Sequence, residues 1–193
     1  MFDQFTFGRE FFATLEALDL EIARRVAASR CPVCGGPLHA GNFPRKPRGA
    51  LIAPEGEAFL VRFSFCCGRE GCRKRATPPS LRFLGRRVYL GVIVIVASLV
   101  AQALGAAGAK ATGVPPRTTR RWLGWWCGPF VATEVLVAIR ARLIGVDVGG
   151  IPRSIVERLP GAAEEQTRTM LHLLAPLTTA SVLDGARFSR DIA

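Results

Sequence analysis

The stretch Cys31-Pro32-Val33-Cys34-Gly35-Gly36 constrains this chain more than any other. Two thiols separated by two residues, on a loop whose glycines let the backbone turn back, aim both sulfurs at one point. A second group, Cys66-Cys67-Gly68-Arg69-Glu70-Gly71-Cys72, can close a tetrahedron around that point. The segment between is rich in turn formers, including Pro37, Pro44, Pro47, Gly49, Pro54 and Gly56. It contains one clear alternating run, with Phe59, Val61, Phe63 and Phe65 set against Leu60, Arg62 and Ser64. Continued alternation puts Cys67 on the Phe63 and Phe65 face and Cys66 on the other.

The expected ligands are therefore Cys31, Cys34, Cys67 and Cys72, with Cys66 in place of Cys67 as the alternative. Four thiolates around one zinc ion leave no open coordination position, so the expected role is structural. A β unit this small draws from a metal the stability that burial alone does not supply. A redox Cys-x-x-Cys would sit in a βαβ context, which the surrounding sequence lacks. His39 reads as a strand or surface histidine, and Cys127, between Trp126 and Gly128, as a buried apolar thiol. Met1-Phe2-Asp3-Gln4 leads into no secretory pattern, so a reducing, cytoplasmic setting is expected.

Charge narrows the class of partner. The formal net charge is +11 over 193 residues. Residues 31–90 carry a net +8 and residues 91–130 a net +4 with no acid, while the flanks are near neutral. A basic centre between neutral ends suits a polyanion partner. In the ribbon the cations are Arg45, Lys46 and Arg48 on a proline-stiffened loop, then Arg73, Lys74 and Arg75. Arg82, Arg86 and Arg87 follow. These are expected to contact phosphates, which positions a protein without selecting sequence.

Helical signals surround the ribbon. Phe11, Leu15, Leu18, Ile22 and Val26 form one stripe of an amphipathic helix over 9–29, with Glu10, Glu16, Asp19 and Glu21 off it. Residues 80–130 read as helical with a break near 113–116, residues 131–145 as a further helix, and 153–158 and 163–174 as short ones. The last fifteen residues read as loosely structured. The expected fold is α+β and mostly α, in four parts. An N-terminal helix spans 1–30, a zinc ribbon of short antiparallel strands 31–79, a helical unit 80–145, and a short helical tail 146–193.

Within that unit, residues 109–122 carry a helix-turn-helix pattern. Ala109 fits the helix crossing, Gly113 the turn, and Val114 and Trp122 the buried anchors, whereas Thr112 and Thr119 are modest core residues. Pro116 suits a first helical position. Arg117, Thr118, Arg120 and Arg121 then fall on the first turns of the second helix, from which side chains enter a major groove.

The Cys-Pro-x-Cys-Gly ribbon, the run Cys72-Arg73-Lys74-Arg75-Ala76-Thr77-Pro78 and the helix-turn-helix together resemble the DNA-binding halves of insertion-sequence transposases and their accessory proteins. The resemblance covers about residues 31–126. It implies a metal at Cys31, Cys34, Cys67 and Cys72, and double-stranded DNA at Arg117, Arg120 and Arg121. It also implies a nucleoid-associated protein that works beside a separate transposase or other subunit; a homodimer is expected on other grounds, as one way to cover the apolar helix 86–103. Such transposases add three metal-binding carboxylates on an RNase H-like fold. The sixty or so residues after 130 are too few for that fold, so an accessory role without catalysis is expected. No phosphate-cradling Gly-rich loop or Gly-x-Ser-x-Gly elbow occurs, and His39 and His172 share no triad spacing.

Two alternatives remain open at this level. Tyr89–Ala109 is twenty-one residues without a charge, which meets the length of a membrane span. A membrane hairpin with a cytosolic ribbon head is then the competing reading. A ribbon used for protein contact, or for RNA, is the other. If 86–103 is instead a core helix, it lacks a polar face. It must then be covered by the N-terminal helix, the C-terminal segment or a second subunit.

Overall fold

The N-terminal helix α1 (Arg9–Ala28) forms where the pattern predicts it and buries Phe11, Leu15, Ile22 and Val26 as expected, but the buried face also takes in Asp19, which the pattern puts off it. Phe12, Leu15, Asp19, Ile22 and Val26 face inward, Leu18 is only half-buried, and Asp19 is 1% exposed. A carboxylate at the centre of a buried face needs partners, and the linker after the ribbon supplies them. Asp19 Oδ1 accepts the Leu81 amide at 2.6 Å, and Oδ2 accepts the Ser80 hydroxyl at 2.6 Å and Arg82 Nε at 2.9 Å. Arg82 spends its other donors on Glu16 Oε1 at 3.0 Å, the Phe59 carbonyl at 2.6 Å and the Val61 carbonyl at 3.1 Å. The Ser80 amide reaches Thr178 Oγ1 at 2.8 Å.

These contacts come from a computed structural model that describes residues 7–45, 59–84 and 90–179. The expectation for the chain's end lies outside those residues from 180 onward. Residues 80–84 are not helical as expected. Their amides are already committed, to Asp19 and to Ser80 Oγ, which accepts from Arg82 and Phe83, and Phe83 instead bridges Leu90.

The β unit contains β1 (Leu38–Ala40), β2 (Phe43–Pro44), β3 (Val61–Arg62), β4 (Phe65–Cys67) and β5 (Arg75–Ala76). An antiparallel sheet runs β1-β4-β5, with Leu38 opposite Cys67, His39 opposite Cys66 and Phe65 opposite Ala76. A two-stranded sheet pairs β2 with β3. The expected continuous strand over 59–65 is broken at Phe63-Ser64, and its two faces do not keep separate burial, since Phe59 is buried on the same expected face as the exposed Val61. Arg62 and Ser64 are buried, while Val61 is 39% exposed. Arg62 turns inward because its guanidinium caps the Pro78 carbonyl at 2.6 Å and lies 6.0 Å from the Phe83 ring centre. Burial pulls its pKa down to about 10.

The rest is helical. α2 (Gly91–Ala111), α3 (Pro116–Cys127), α4 (Glu134–Arg142), α5 (Arg153–Val156) and α6 (Ala163–Leu174) follow in order. Leu90 through Val100 are all buried, and a break at Gly105, at φ +62°, interrupts α2. α3 and α6 pack on α2, and the 147–156 segment is tied to it by polar contacts. A Cβ on Gly91 would stand 2.8 Å from Leu171 Cδ2, so α6 sits directly on the first turn of α2. Trp126 Nε1 donates to Ser98 Oγ at 3.0 Å, and Gln102 Nε2 to the Ile151 carbonyl at 2.8 Å.

The cover that residues 90–100 demand is thus found among the described residues. Among the described residues no helix is long and apolar enough to cross a membrane. Residues 90–100 of the uncharged run share one core with α1, Phe59, Leu81, Phe83 and the helices after it, while Ala103 and Leu104 are exposed.

Asp19→Ala removes the acceptor of the Leu81 amide and the Ser80 hydroxyl and leaves the buried Arg82 guanidinium with Glu16 as its one remaining carboxylate among the described residues. It is expected to destabilise the fold by about 3–5 kcal/mol. Glu21→Ala, which removes the exposed Arg25–Glu21 pair at 3.1 Å, should cost less than about 1 kcal/mol. Urea denaturation of the two variants checks this contrast.

Candidate metal centre and basic helix

The Sγ atoms of Cys31, Cys34, Cys67 and Cys72 all lie within 4.8 Å of one another. Cys31 to Cys72 is 3.8 Å and Cys34 to Cys67 is 3.5 Å. Four sulfurs at about 2.3 Å from a central ion stand about 3.8 Å apart in a tetrahedron, so the set lies close enough to hold one metal ion.

Local backbone geometry builds each half of the site. The Gly35 amide returns to the Cys31 carbonyl at 2.8 Å, with Gly35 at φ +68°, a conformation that favours glycine. Gly36 is needed for closeness, because a Cβ there would lie 3.0 Å from Cys67 Sγ and 3.3 Å from Cys34 Sγ. In the second half the Arg69 amide points at Cys67 Sγ at 3.4 Å, and Gly71 and Arg73 take positive φ to bring Cys72 round. Arg69 Nη1 then clamps the halves together by donating to the Cys34 carbonyl at 2.9 Å.

The thiols are unequal. The Gly36 amide and the neighbouring Cys72 thiol pull Cys34 down to about 6. Burial pushes Cys67 up to about 12, leaving it protonated until a metal displaces the proton.

Cys66 is not part of the cluster. It faces away from it, with its Sγ 3.4 Å from the Arg73 carbonyl. Cys67 is therefore the clustered thiol of the two, although the alternation behind that choice breaks at Phe63-Ser64. His39 is opposite Cys66 and packs against Gly68, where a Cβ would lie 2.3 Å from its Nε2. Cys127 is exposed rather than buried, because α3 turns Trp126 inward beside it.

The expected DNA contacts divide into three groups. Lys46, Arg48, Arg86 and Arg87 lie outside the described residues. In the ribbon, Arg73 and Lys74 are exposed, Arg45 is half-buried, and Arg75 is exposed but engaged. Arg75 donates to the Gly41 carbonyl and Ser64 Oγ, both at 3.0 Å, and lies 5.6 Å from the Phe43 ring centre. Arg82 is a correction: it is buried in the Asp19 network and is unavailable to any ligand.

On α3, Arg117, Arg120 and Arg121 are exposed and Thr118 is half-buried. The opposite face buries Thr119, Trp122 and Trp126. Val114 is buried at the preceding turn and Gly113 takes φ +65°. The two threonines are tolerable in the core because the turn uses their hydroxyls. Thr112 Oγ1 accepts the Val114 amide at 3.4 Å, and Thr119 Oγ1 approaches the Pro115 carbonyl at 3.5 Å. None of the three arginines pairs with a carboxylate among the described residues. The Ala109 side chain lies outside the description.

Sequence reasoning missed Asp19, Arg62, Arg69 and Arg82 as structural groups. For Asp19 a signal existed, since it completes the 12, 15, 19, 22, 26 spacing of the buried stripe. Arg62, Arg69 and Arg82 carry no such signal, because each answers carbonyls or a carboxylate distant in sequence.

No family model, curated protein or solved structure matches the chain.

Cys67→Ser is expected to abolish tight uptake of cobalt(II), followed by its thiolate charge-transfer absorption, whereas Cys66→Ser should leave that absorption intact. Metal affinity should rise with pH, because uptake must displace the Cys67 proton.

Proposed function

We propose that this chain is a DNA-binding accessory protein in which a zinc-held ribbon and a helix-turn-helix present cations to a duplex. The observation that carries this reading is the exposed face of α3. Arg117, Arg120 and Arg121 fall at i, i+3 and i+4, so they share one side of the helix. They crowd its first two turns, and no acidic side chain lies in the first turn. Cations at a helix N-terminus oppose the macrodipole, each by about 0.3–1 kcal/mol. A bound phosphate backbone offsets that penalty, and Arg forks onto phosphate oxygens and onto guanine edges. Trp122 and Trp126, locked beneath, hold the face rigid for docking.

Zinc is the proposed ion. Four thiolates with tetrahedral spacing suit it, and it has no redox chemistry to damage them. Its role is to fold the ribbon so that Arg73 and Lys74 stand out from the turn after Cys72. Those residues would hold phosphates, while the α3 arginines would supply the base contacts. The proposed setting is the nucleoid, beside a transposase or another DNA-acting subunit that supplies the chemistry.

The test uses duplexes enriched from a random pool. Arg120→Ala or Arg121→Ala should weaken binding to the enriched duplex by about 1–3 kcal/mol and relax its specificity. Lys74→Ala should weaken enriched and scrambled duplexes alike and reduce the salt slope by about 1. Equal losses on both duplexes for all three variants remove the recognition-helix assignment. Preference for a structured RNA over every duplex would replace DNA by RNA.

A further inference from the structure

Among the described residues, two that are not glycine take left-handed backbone conformations, and both are arginines adjoining the thiol cluster. Arg30, at φ +65°, directly precedes Cys31, and Arg73, at φ +46°, directly follows Cys72. That conformation strains an L side chain and leaves glycine unstrained. The two halves of the centre supply the comparison: Gly35, at φ +68°, follows Cys34, and Arg73 holds the same place after Cys72. Arg30 lies just past Ser29, the cap of α1, another position that favours glycine. Sulfur contact puts both cations on one edge. Cys31 and Cys72 Sγ are 3.8 Å apart, which keeps the Arg30 and Arg73 backbones within about 17 Å of each other. Both side chains are exposed, and neither pairs with a carboxylate among the described residues. Lys74 is exposed next in the chain, and Glu70 is the one acid among the described residues of the ribbon.

We propose that Arg30 and Arg73 are paired phosphate contacts on the rim of the metal centre, and that metal uptake assembles the pair. The proposal rests on the duplex-binding reading above and adds to it a new contact, Arg30, and a regulator, the ion. Charge commits the occupant: three exposed cations, Arg30, Arg73 and Lys74, against one acid fit a phosphate backbone. Arg forks onto phosphate oxygens, so two of them on one edge can hold neighbouring groups of a strand. The metal is what fixes that edge. The Arg69 clamp lies on the Cys34 side, while a thiol–thiol contact joins the Cys31 and Cys72 side. An ion bonded to both sulfurs ties Arg30, at the end of α1, to Arg73, far along the chain. A chain without the ion carries the same charges but does not hold them together, so its grip on phosphate is weaker.

Arg30→Gly and Arg73→Gly remove a cation and relieve the backbone, so binding should fall without loss of the fold. Full-length wild type, both variants and Arg121→Ala are compared, each loaded with zinc and each stripped by a chelator under reducing conditions. The readouts are thermal melting, cobalt(II) uptake, and fluorescence anisotropy across a salt series on a labelled duplex enriched from a random pool. With zinc bound, each glycine variant should bind the duplex about three- to tenfold more weakly and lower the salt slope by about 1. Arg73→Gly should raise the melting temperature by about 1–3 °C, and cobalt(II) uptake should be unchanged. Stripped wild type should lose duplex affinity by a similar factor, and there the glycine substitutions should cost nothing further. Equal losses with and without metal overturn assembly by the ion. If both glycine variants bind the duplex like the wild type while Arg121→Ala weakens it, the pair is overturned and the DNA reading stands. Weakened cobalt(II) uptake with intact duplex binding would assign the arginines to balancing the thiolate charge and overturn the pair as well. A fall in melting temperature for Arg73→Gly would assign that residue to the fold, with the same consequence. If the wild type shows no salt-dependent duplex binding, the pair and the DNA reading fall together.

Discussion

The carboxylate of Asp19 and the guanidinium of Arg82 meet at 2.9 Å with both side chains about 1% exposed. Around that pair converge the N-terminal helix, the ribbon through the Phe59 and Val61 carbonyls, the linker through Ser80 and Leu81, and the chain's end through Thr178. A buried pair of this kind is weak evidence for net stability, because desolvation consumes most of the Coulombic gain. Its effect is specification. Hydrophobic burial alone would let α1 rotate or slide against the core, whereas six directed hydrogen bonds on Asp19 and Arg82 admit one register.

That register determines how the ribbon sits. Cys67 lies only a few residues beyond Arg62, whose guanidinium caps the Pro78 and Pro79 carbonyls. The strand leading to the second half of the cluster is thus anchored at its base, and the four thiols close at its tip. The β unit therefore has two anchors, one of buried arginine–carbonyl hydrogen bonds and one of four clustered thiols close enough to hold a metal ion. The helical side has its own anchor in Trp122, Trp126 and Phe130, with Trp126 and Phe130 edge to face at 4.9 Å. This aromatic cluster leaves the arginine face of α3 free of structural duties, unlike Arg62, Arg75 and Arg82.

Much of this was legible in the chain. Cysteine spacing, helix periodicity and turn chemistry are local, and local rules placed α1, α5, α6, the turn before α3 and the four clustered thiols. The errors fall where a residue answers to something distant. Val61 and Arg62 exchange faces because proline carbonyls sixteen residues later need a donor. Residues 80–84 avoid the helix because Asp19, about sixty residues earlier, takes the Leu81 amide. Arg82 reads as a surface cation until the carboxylates of α1 are brought to it. The uncharged run from Tyr89 reads first as a core helix with a membrane span as the alternative, and the cover from α3, α6 and the 147–156 segment buries residues 90–100 of it.

The sequence by itself determined what must be gathered or hidden: four thiols at fixed spacing, an apolar helix with no polar face, and a basic centre without compensating acids. Those follow from residue type and short-range geometry. The tertiary structure alone decided which charges are spent inside and which stay exposed and unpaired among the described residues. Arg62 and Arg82 are spent and Arg117, Arg120 and Arg121 are not, because a charge's role is set by which carbonyls and carboxylates folding brings within three ångströms or so of it, and that information is non-local.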